Sequence, residues 1–559
     1  MRVERNSAGG RATRGAGCVL IAGQCTPRYA WDVHPTEAVL LLLLFVALLT
    51  LVARRIGVPY PILMTLGGLA LSLVPGLPRL TLAPDLVFLL FLPPLLFSAA
   101  YFTSPRELLL SARPISLLAI GLVLATVGAV AVVVHAMSPT LGWPAAFILG
   151  AIVSPTDAVA ATSIAQRLGL PRRIVTILEG ESLANDATGL VAYRLALAAA
   201  LTGAFSIGNA SVSFVVVSVG GVAIGLVVGW ALVVVERRID DPPVEVLITL
   251  LAPFAAWLPA EAIGVSGVLA VVTASIVFGQ HTSRITSSDV RILASGVWQM
   301  VIFVLNGLVF ILIGLQLPTV LDELSASRTT GELLSLAAAV CVTVVAVRLA
   351  WVFPGTYLPR WLIPGLAKRD PSPSPRVVVI IGWAGMRGVV SLAAALALPF
   401  TAGGQPFPGR DLIIFLTFSV ILVTLVGQGL TMPLLIRRLG VGDDGSEAHE
   451  EVHAREEANQ AALARLDELA IEWPDHLPLI DNIRGRHQHA AEHLEHAHED
   501  FPADQAPDQE AIEHAAIYSA VITAQRAAVI DLRDQGVISD KALRVVEREL
   551  DLEELRAEG

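Results

Sequence analysis

Long, unbroken apolar runs dominate the first 440 residues, and they do not alternate polar and apolar at every second position. About 20 apolar residues in a helix cross roughly 30 Å of hydrocarbon. Only helices and closed barrels satisfy their backbone polar groups there, and continuous runs fit helices rather than barrel strands. The pattern predicts about 13 spans, near 36–53, 58–74, 85–103, 114–136, 143–166, 172–203, 212–235, 243–259, 262–279, 297–317, 333–353, 376–399 and 411–436. Beyond them the chain turns polar and alanine-rich. Helices are predicted over 446–473 and 508–556, separated by proline-containing segments at Trp473–Pro474 and Phe501–Pro507. The expected organisation is a disordered extension over 1–35, a transmembrane domain over 36–439 and a helical domain over 440–559.

Composition agrees: 54% of residues are apolar and only 16% charged. Soluble domains run near a quarter charged, so a disordered chain, a disulfide scaffold and an ordinary soluble enzyme are excluded. Cys18, Cys25 and Cys341 have neither metal-ligand nor disulfide-framework spacing. Charge is unevenly divided, with 29 acidic and 10 basic residues from 441 onward against 20 and 28 before it. Alternate loops of the body carry 14 Arg and Lys, the opposite loops only Arg79, Arg328 and Arg410. Positive loops stay cytoplasmic, which puts the N-terminus outside and the acidic domain inside. Residues 1–33 oppose that rule with five arginines, and Ala16–Gly23 is too short for a signal-peptide core.

Charges at mid-membrane are costly and mark function. In the fifth run, Asp157 follows Pro155, which removes one N–H and frees a carbonyl. A helix interrupted at that depth offers the carbonyls and half-helix ends from which secondary transporters build ion sites. In the sixth run Glu181 and Asn185, and Ser182 and Asp186, are four apart and share one patch. Their donors are nearly all oxygen, suited to a hard cation such as Na⁺. Arg387, deep in the twelfth run, cannot shed its proton and calls for a buried carboxylate; Glu181 matches best in depth, as a structural ion pair. Arg348 is expected to snorkel from the end of its span. Arg194 is expected to snorkel outward, with an electrostatic role near the ion site as the alternative. Asn306 reads as interhelical glue.

Ser154–Pro155–Thr156–Asp157, Gly180–Glu181–Ser182 with Asn185–Asp186, Gly385–Met386–Arg387–Gly388 and Phe91–Leu92–Pro93–Pro94–Leu95–Leu96–Phe97 occur in this order over about 36–436. With them the chain resembles the bacterial branch of the monovalent cation:proton antiporter-1 family, the sodium/proton exchangers. The resemblance implies an all-α polytopic membrane protein of the inner membrane with an inverted-repeat fold of 13 helices. The fifth and twelfth helices would be broken and crossed, and the protein a homodimer. It implies that Asp186 exchanges H⁺ for Na⁺, that Ser182 and the Thr156 main chain are ligands, and that Asp157 acts directly or through water. Asn185 would fix the broken regions to each other, and Glu181–Arg387 would be the stabilising pair. Some relatives carry a glutamate after the double proline where this chain has Ser98, which could still donate an oxygen.

The function expected is secondary active Na⁺/H⁺ antiport, one cation for one proton and electroneutral, with no enzymatic activity, cofactor or nucleic-acid partner. K⁺/H⁺ (or Li⁺) exchange and a cation channel are the alternatives. An intramembrane aspartyl protease is disfavoured because neither aspartate lies in a Gly-x-Gly-Asp pattern. In the tail, His489, His493 and His496 share a helical face that would suit a metal or a pH sensor, although a solvated face explains it as well. The sequence identifies no regulator for this domain.

Overall fold

The computed structural model describes residues 20–21, 24–25, 35–74, 87–203, 206–316, 329–363, 365–402, 405–442, 445–499 and 509–535, with scattered positions over 318–324 and 537–553. The extension expected over 1–35 lies outside them, apart from Pro35 and a two-residue antiparallel pairing of Leu20–Ile21 with Gln24–Cys25. Contacts divide the chain into two compact units, Met1–Asp444 and Gly445–Gly559.

The first unit is helical nearly throughout, in the order α1 (Pro35–Ile56), α2 (Tyr60–Ser72), α3 (Val87–Phe102) and α4 (Ala112–Met137). The fifth run is two half-helices, α5a (Gly142–Val153) and α5b (Ala158–Arg167). Then follow α6 (Arg172–Thr202), α7 (Ile207–Glu236), α8 (Pro242–Ala262), α9 (Gly267–Ile285), α10 (Ser288–Leu315) and α11 (Thr330–Leu362). The twelfth run is also split, into α12a (Pro375–Trp383) and α12b (Val389–Leu396), before α13 (Arg410–Leu439). Among the described residues seven helices are long and apolar enough to cross a membrane, and four shorter apolar helices accompany them.

Packing follows the small residues. A Cβ on Gly68 of α2 would sit 2.2 Å from the Ile311 carbonyl of α10, and one on Gly314 of α10 would sit 2.2 Å from the Thr65 carbonyl of α2. Both helices can approach only because neither position has a side chain. Burial then separates two kinds of helix. Less than a fifth of the apolar stretch of α1, and of α7, is buried, against 72% for α13. Leu40, Leu44, Leu48 and Leu51 on α1 and Val212, Val216, Val219 and Val227 on α7 are open to the surroundings. Such continuous apolar surface is tolerated in contact with lipid or another apolar partner and not with water. Buried clusters instead wrap the two broken helices, including Met386, Val389 and Ile381 with Phe310 and Phe418.

The second unit holds α14 (Ser446–Glu472), α15 (Leu477–Glu499) and α16 (Gln509–Asp534). α14 and α15 pack together. His487 and Asn459 join them, with the Asn459 amide donating to the His487 carbonyl at 2.7 Å and the His487 ring 2.6 Å from Asn459 Oδ1. His489 is exposed, while the side chains of His493 and His496 lie outside the described ones. No group of three potential metal ligands occurs among the described residues.

Candidate functional site

The two chain breaks meet. Pro155 cannot donate an N–H, and the helix stops over Ser154–Asp157; glycines flank the second break, over Ala384–Gly388. A helix that stops in apolar surroundings leaves backbone groups that must find partners. Here they find each other: the Asp157 N–H donates to the Met386 carbonyl at 2.8 Å. Arg387 Nε donates to the Val153 carbonyl at 3.1 Å, and the Arg387 N–H to Thr424 Oγ1 at 3.1 Å.

That geometry corrects the expected ion pair. Arg387 is fully buried, yet it spends its guanidinium on carbonyls freed by the breaks, Val153 and Gly385. Glu181 is bound by Arg348: Nη1 contacts Oε1 and Nη2 donates to Oε2 at 2.8 Å, a two-pronged pair with 0% and 1% of the side chains exposed. Arg348 does not snorkel. Its helix continues to Leu362, nine residues beyond the expected end at 353, which puts the guanidinium in the interior. Its Nε and Nη2 also donate to the Ile381 carbonyl near the end of α12a.

A polar chain runs on from this pair. Asn185 Nδ2 donates to Thr156 Oγ1 at 2.7 Å, and Thr156 Oγ1 donates to Glu181 Oε1 at 3.1 Å. Ser182 Oγ donates to the Thr156 carbonyl at 2.9 Å. Through one threonine the α5 break is thus tied to α6, and through Glu181–Arg348 to α11 and α12a. The Asn185 carbonyl oxygen is buried and has no partner among the described residues.

Beside this network lies a cavity of about 70 Å³, lined on its polar side by Thr156, Asp157, Glu179, Ser182, Asp186, Asn306 and Ser391. Asp157 caps α5b, accepting the Val159 N–H at 2.8 Å. Its carboxylate lies so close to Gly388 that a Cβ there would stand 1.7 Å from Oδ2. Asp186 is 6% exposed, and its carboxylate accepts no hydrogen bond from a described residue.

Glu179 was not among the expected site residues. It lines the cavity and accepts from Thr103 Oγ1 at 3.5 Å, and its spacing from Ser182 and Asp186, three and then four, was the available signal. Another expectation is revised. Ser98 does not line the cavity, because its hydroxyl turns back to the Leu95 carbonyl at 3.0 Å and Ala99 faces the space instead. Arg194 does not line the cavity; it reaches an exposed position where Glu261 holds its Nη2 at 2.7 and 2.9 Å, in keeping with an outward-directed side chain rather than a role at the ion site.

Comparison with known proteins agrees with this architecture. A family model described as the transmembrane sodium/hydrogen exchanger matches residues 40–438. An uncharacterised Na⁺/H⁺ exchanger of Mycobacterium tuberculosis is 37% identical over 91% of this chain and 93% of its own. A sodium, potassium, lithium and rubidium/H⁺ antiporter of Bacillus subtilis is 39% identical over 71% of this chain and 61% of its own. The solved sodium proton antiporter of Methanocaldococcus jannaschii covers 72% of this chain and 98% of its own with a TM-score of 0.57, at 19% identity, a likeness of fold. With the family model matching nearly the whole helical body and a relative this similar along almost its full length, the chain belongs to the sodium/hydrogen exchanger family.

Proposed function

We propose that the protein exchanges one alkali cation for one proton across the membrane, with the Asp186 carboxylate as the group for which the two compete. The observation that carries the reading is the contrast among Glu181, Asp157 and Asp186. Glu181 is neutralised by Arg348 and Asp157 is engaged with a helix N-terminus, while Asp186 faces the cavity without a hydrogen-bond partner among the described residues. A bare carboxylate out of water costs several kcal/mol. A proton or a cation removes that cost, so the loaded site can change sides and the empty one is held back.

A single carboxylate, Asp186, faces the cavity without a hydrogen-bond partner among the described residues, which supports a one-for-one exchange. Cation ligands are at hand on the cavity: Ser182 Oγ, the Thr156 carbonyl it now occupies and Asp157. All are hard oxygens. Entry of a cation would replace the Ser182–Thr156 bond. The same reading takes the body as thirteen crossings in inverted repeats, with a cytoplasmic C-terminal domain over 440–559 and the N-terminus outside. The apolar faces left open on α1 and α7 support a homodimer.

K⁺/H⁺ exchange is the second reading, favoured by an oxygen-only site and by the Bacillus relative whose name spans four alkali cations. Purified protein in liposomes with an internal pH dye, offered each cation in turn, separates these readings. An alkali cation should collapse an imposed pH gradient at a rate indifferent to membrane potential. Proton flux without a cation, or a cation current without proton movement, would refute exchange.

A further inference from the structure

A second cavity, of about 230 Å³, opens at the arginine-rich end of the bundle, away from the aspartates. It is far larger than the roughly 10–15 Å³ that accommodates one water. Arg113 of α4, Arg173 of α6 and Arg360 of α11 line one side. All three reach a single carboxylate, Asp370, at 2.7, 2.6 and 2.8 Å respectively. One acid against three guanidiniums leaves two positive charges in excess. Arg113 shows the imbalance directly, because its Nε and Nη1 are buried without a partner among the described residues. An unsatisfied guanidinium N–H is costly, and an oxyanion satisfies it best.

Two helix starts add to the same field. The N-caps of α6 and α12a, Pro171 and Ser374, line the cavity, and neither helix start is closed by a side-chain cap. Further along the same helices the lining turns apolar, with Leu118 of α4, Ile177 of α6 and Trp351 of α11, joined by Ile381 of α12a. The Trp351 indole is already used, donating to the Leu117 carbonyl at 3.0 Å. The space is therefore cationic at one end and greasy at the other.

We propose that this cavity binds a phosphate group, supplied either by the head group of an acidic phospholipid whose first methylenes lie on the Ile177–Trp351 wall or by soluble phosphate. By the positive-inside rule it faces the cytoplasmic leaflet, where such head groups are available. A bound phosphate would tie together the ends of α6, α11 and α12a, the helices that carry Asp186, Arg348 and the second break.

The test is thermal unfolding of the purified full chain in neutral detergent with added dioleoylphosphatidylglycerol, dioleoylphosphatidylcholine or inorganic phosphate. The acidic lipid or phosphate should raise Tm and the zwitterionic lipid should not. A phosphate effect that equals the lipid effect assigns the soluble source; an effect of the lipid alone assigns the head group. Arg113→Gln should weaken the apparent affinity at least about tenfold, the loss expected for a charge-assisted bond. Ile177→Phe, which keeps all three arginines and fills the apolar wall, should abolish the lipid effect and keeps the proposal testable if Arg113→Gln does not fold. Equal shifts from both lipids, no shift from any addition, or an acidic-lipid or phosphate shift retained in full by Arg113→Gln would overturn it.

Discussion

Arg348→Met is the perturbation that best tests the ion-pair assignment. The wild-type pair is dry on both sides, and Glu181 accepts from both arms of the guanidinium. Removing one partner leaves Glu181 charged and buried, with only the Thr156 hydroxyl at 3.1 Å in support. Breaking a buried pair this way costs about 3–5 kcal/mol. At about 1.4 kcal/mol per factor of ten, that exceeds a hundredfold in the folding equilibrium. Removing both charges avoids the penalty, so Glu181→Gln with Arg348→Met should recover more than half of the loss. Unfolding in mixed micelles, analysed as a double-mutant cycle, measures this coupling. The coupling of Glu181 to Arg348 should be at least twice that of Glu181 to Arg387. Equal couplings, or a larger one to Arg387, would refute the assignment.

Further outcomes follow from named contacts. Gly388→Ala should abolish exchange while leaving a folded protein, because the added methyl must displace the Asp157 carboxylate from 1.7 Å; full exchange activity in liposomes would show that Asp157 is not needed where it stands. Glu179→Gln should slow cation-driven proton flux severalfold without ending it, since the residue lines the cavity beside the exchanging group rather than performing the exchange; complete loss in the liposome assay would promote it to a primary site. At Asp370 burial pushes the carboxyl up, but Arg173, Arg360 and Arg113 outweigh it and hold the group below the ordinary value of 3.8. A depressed carboxyl gives stability that is present above its unfolded-state value and lost as pH falls through the folded one. Asp370→Asn should therefore narrow the gap between melting temperatures at pH 6 and pH 3, and an unchanged gap would contradict the three-arginine clasp.

How far the sequence could be read depended on the kind of signal. The break in α5 was legible because Pro155 acts locally, through a missing N–H, whereas the break in α12 was expected only from the family resemblance. The grouping of Glu181, Ser182, Asn185 and Asp186 was legible because helical spacing alone sets it. The partner of Glu181 was not. Depth along separate spans gave Arg387, but it ignored carbonyls that become acceptors only where the two helix breaks meet, and those carbonyls accept from Arg387 Nε and Nη1. Arg348 was misplaced for a related reason: polar residues near Pro354 and Pro359 ended the predicted span, while the helix runs through both prolines. The arginine cavity joins residues 113, 173, 360 and 370, a grouping that local pattern cannot reveal.

The central claim is tested most directly by Asp186→Asn in liposomes. The neutral amide keeps the shape of the site and can be neither protonated to neutrality nor paired as an anion with a cation. Cation-dependent proton flux should fall to the protein-free background at every pH, while the purified variant still melts cooperatively. Exchange persisting above background at any pH would contradict the account.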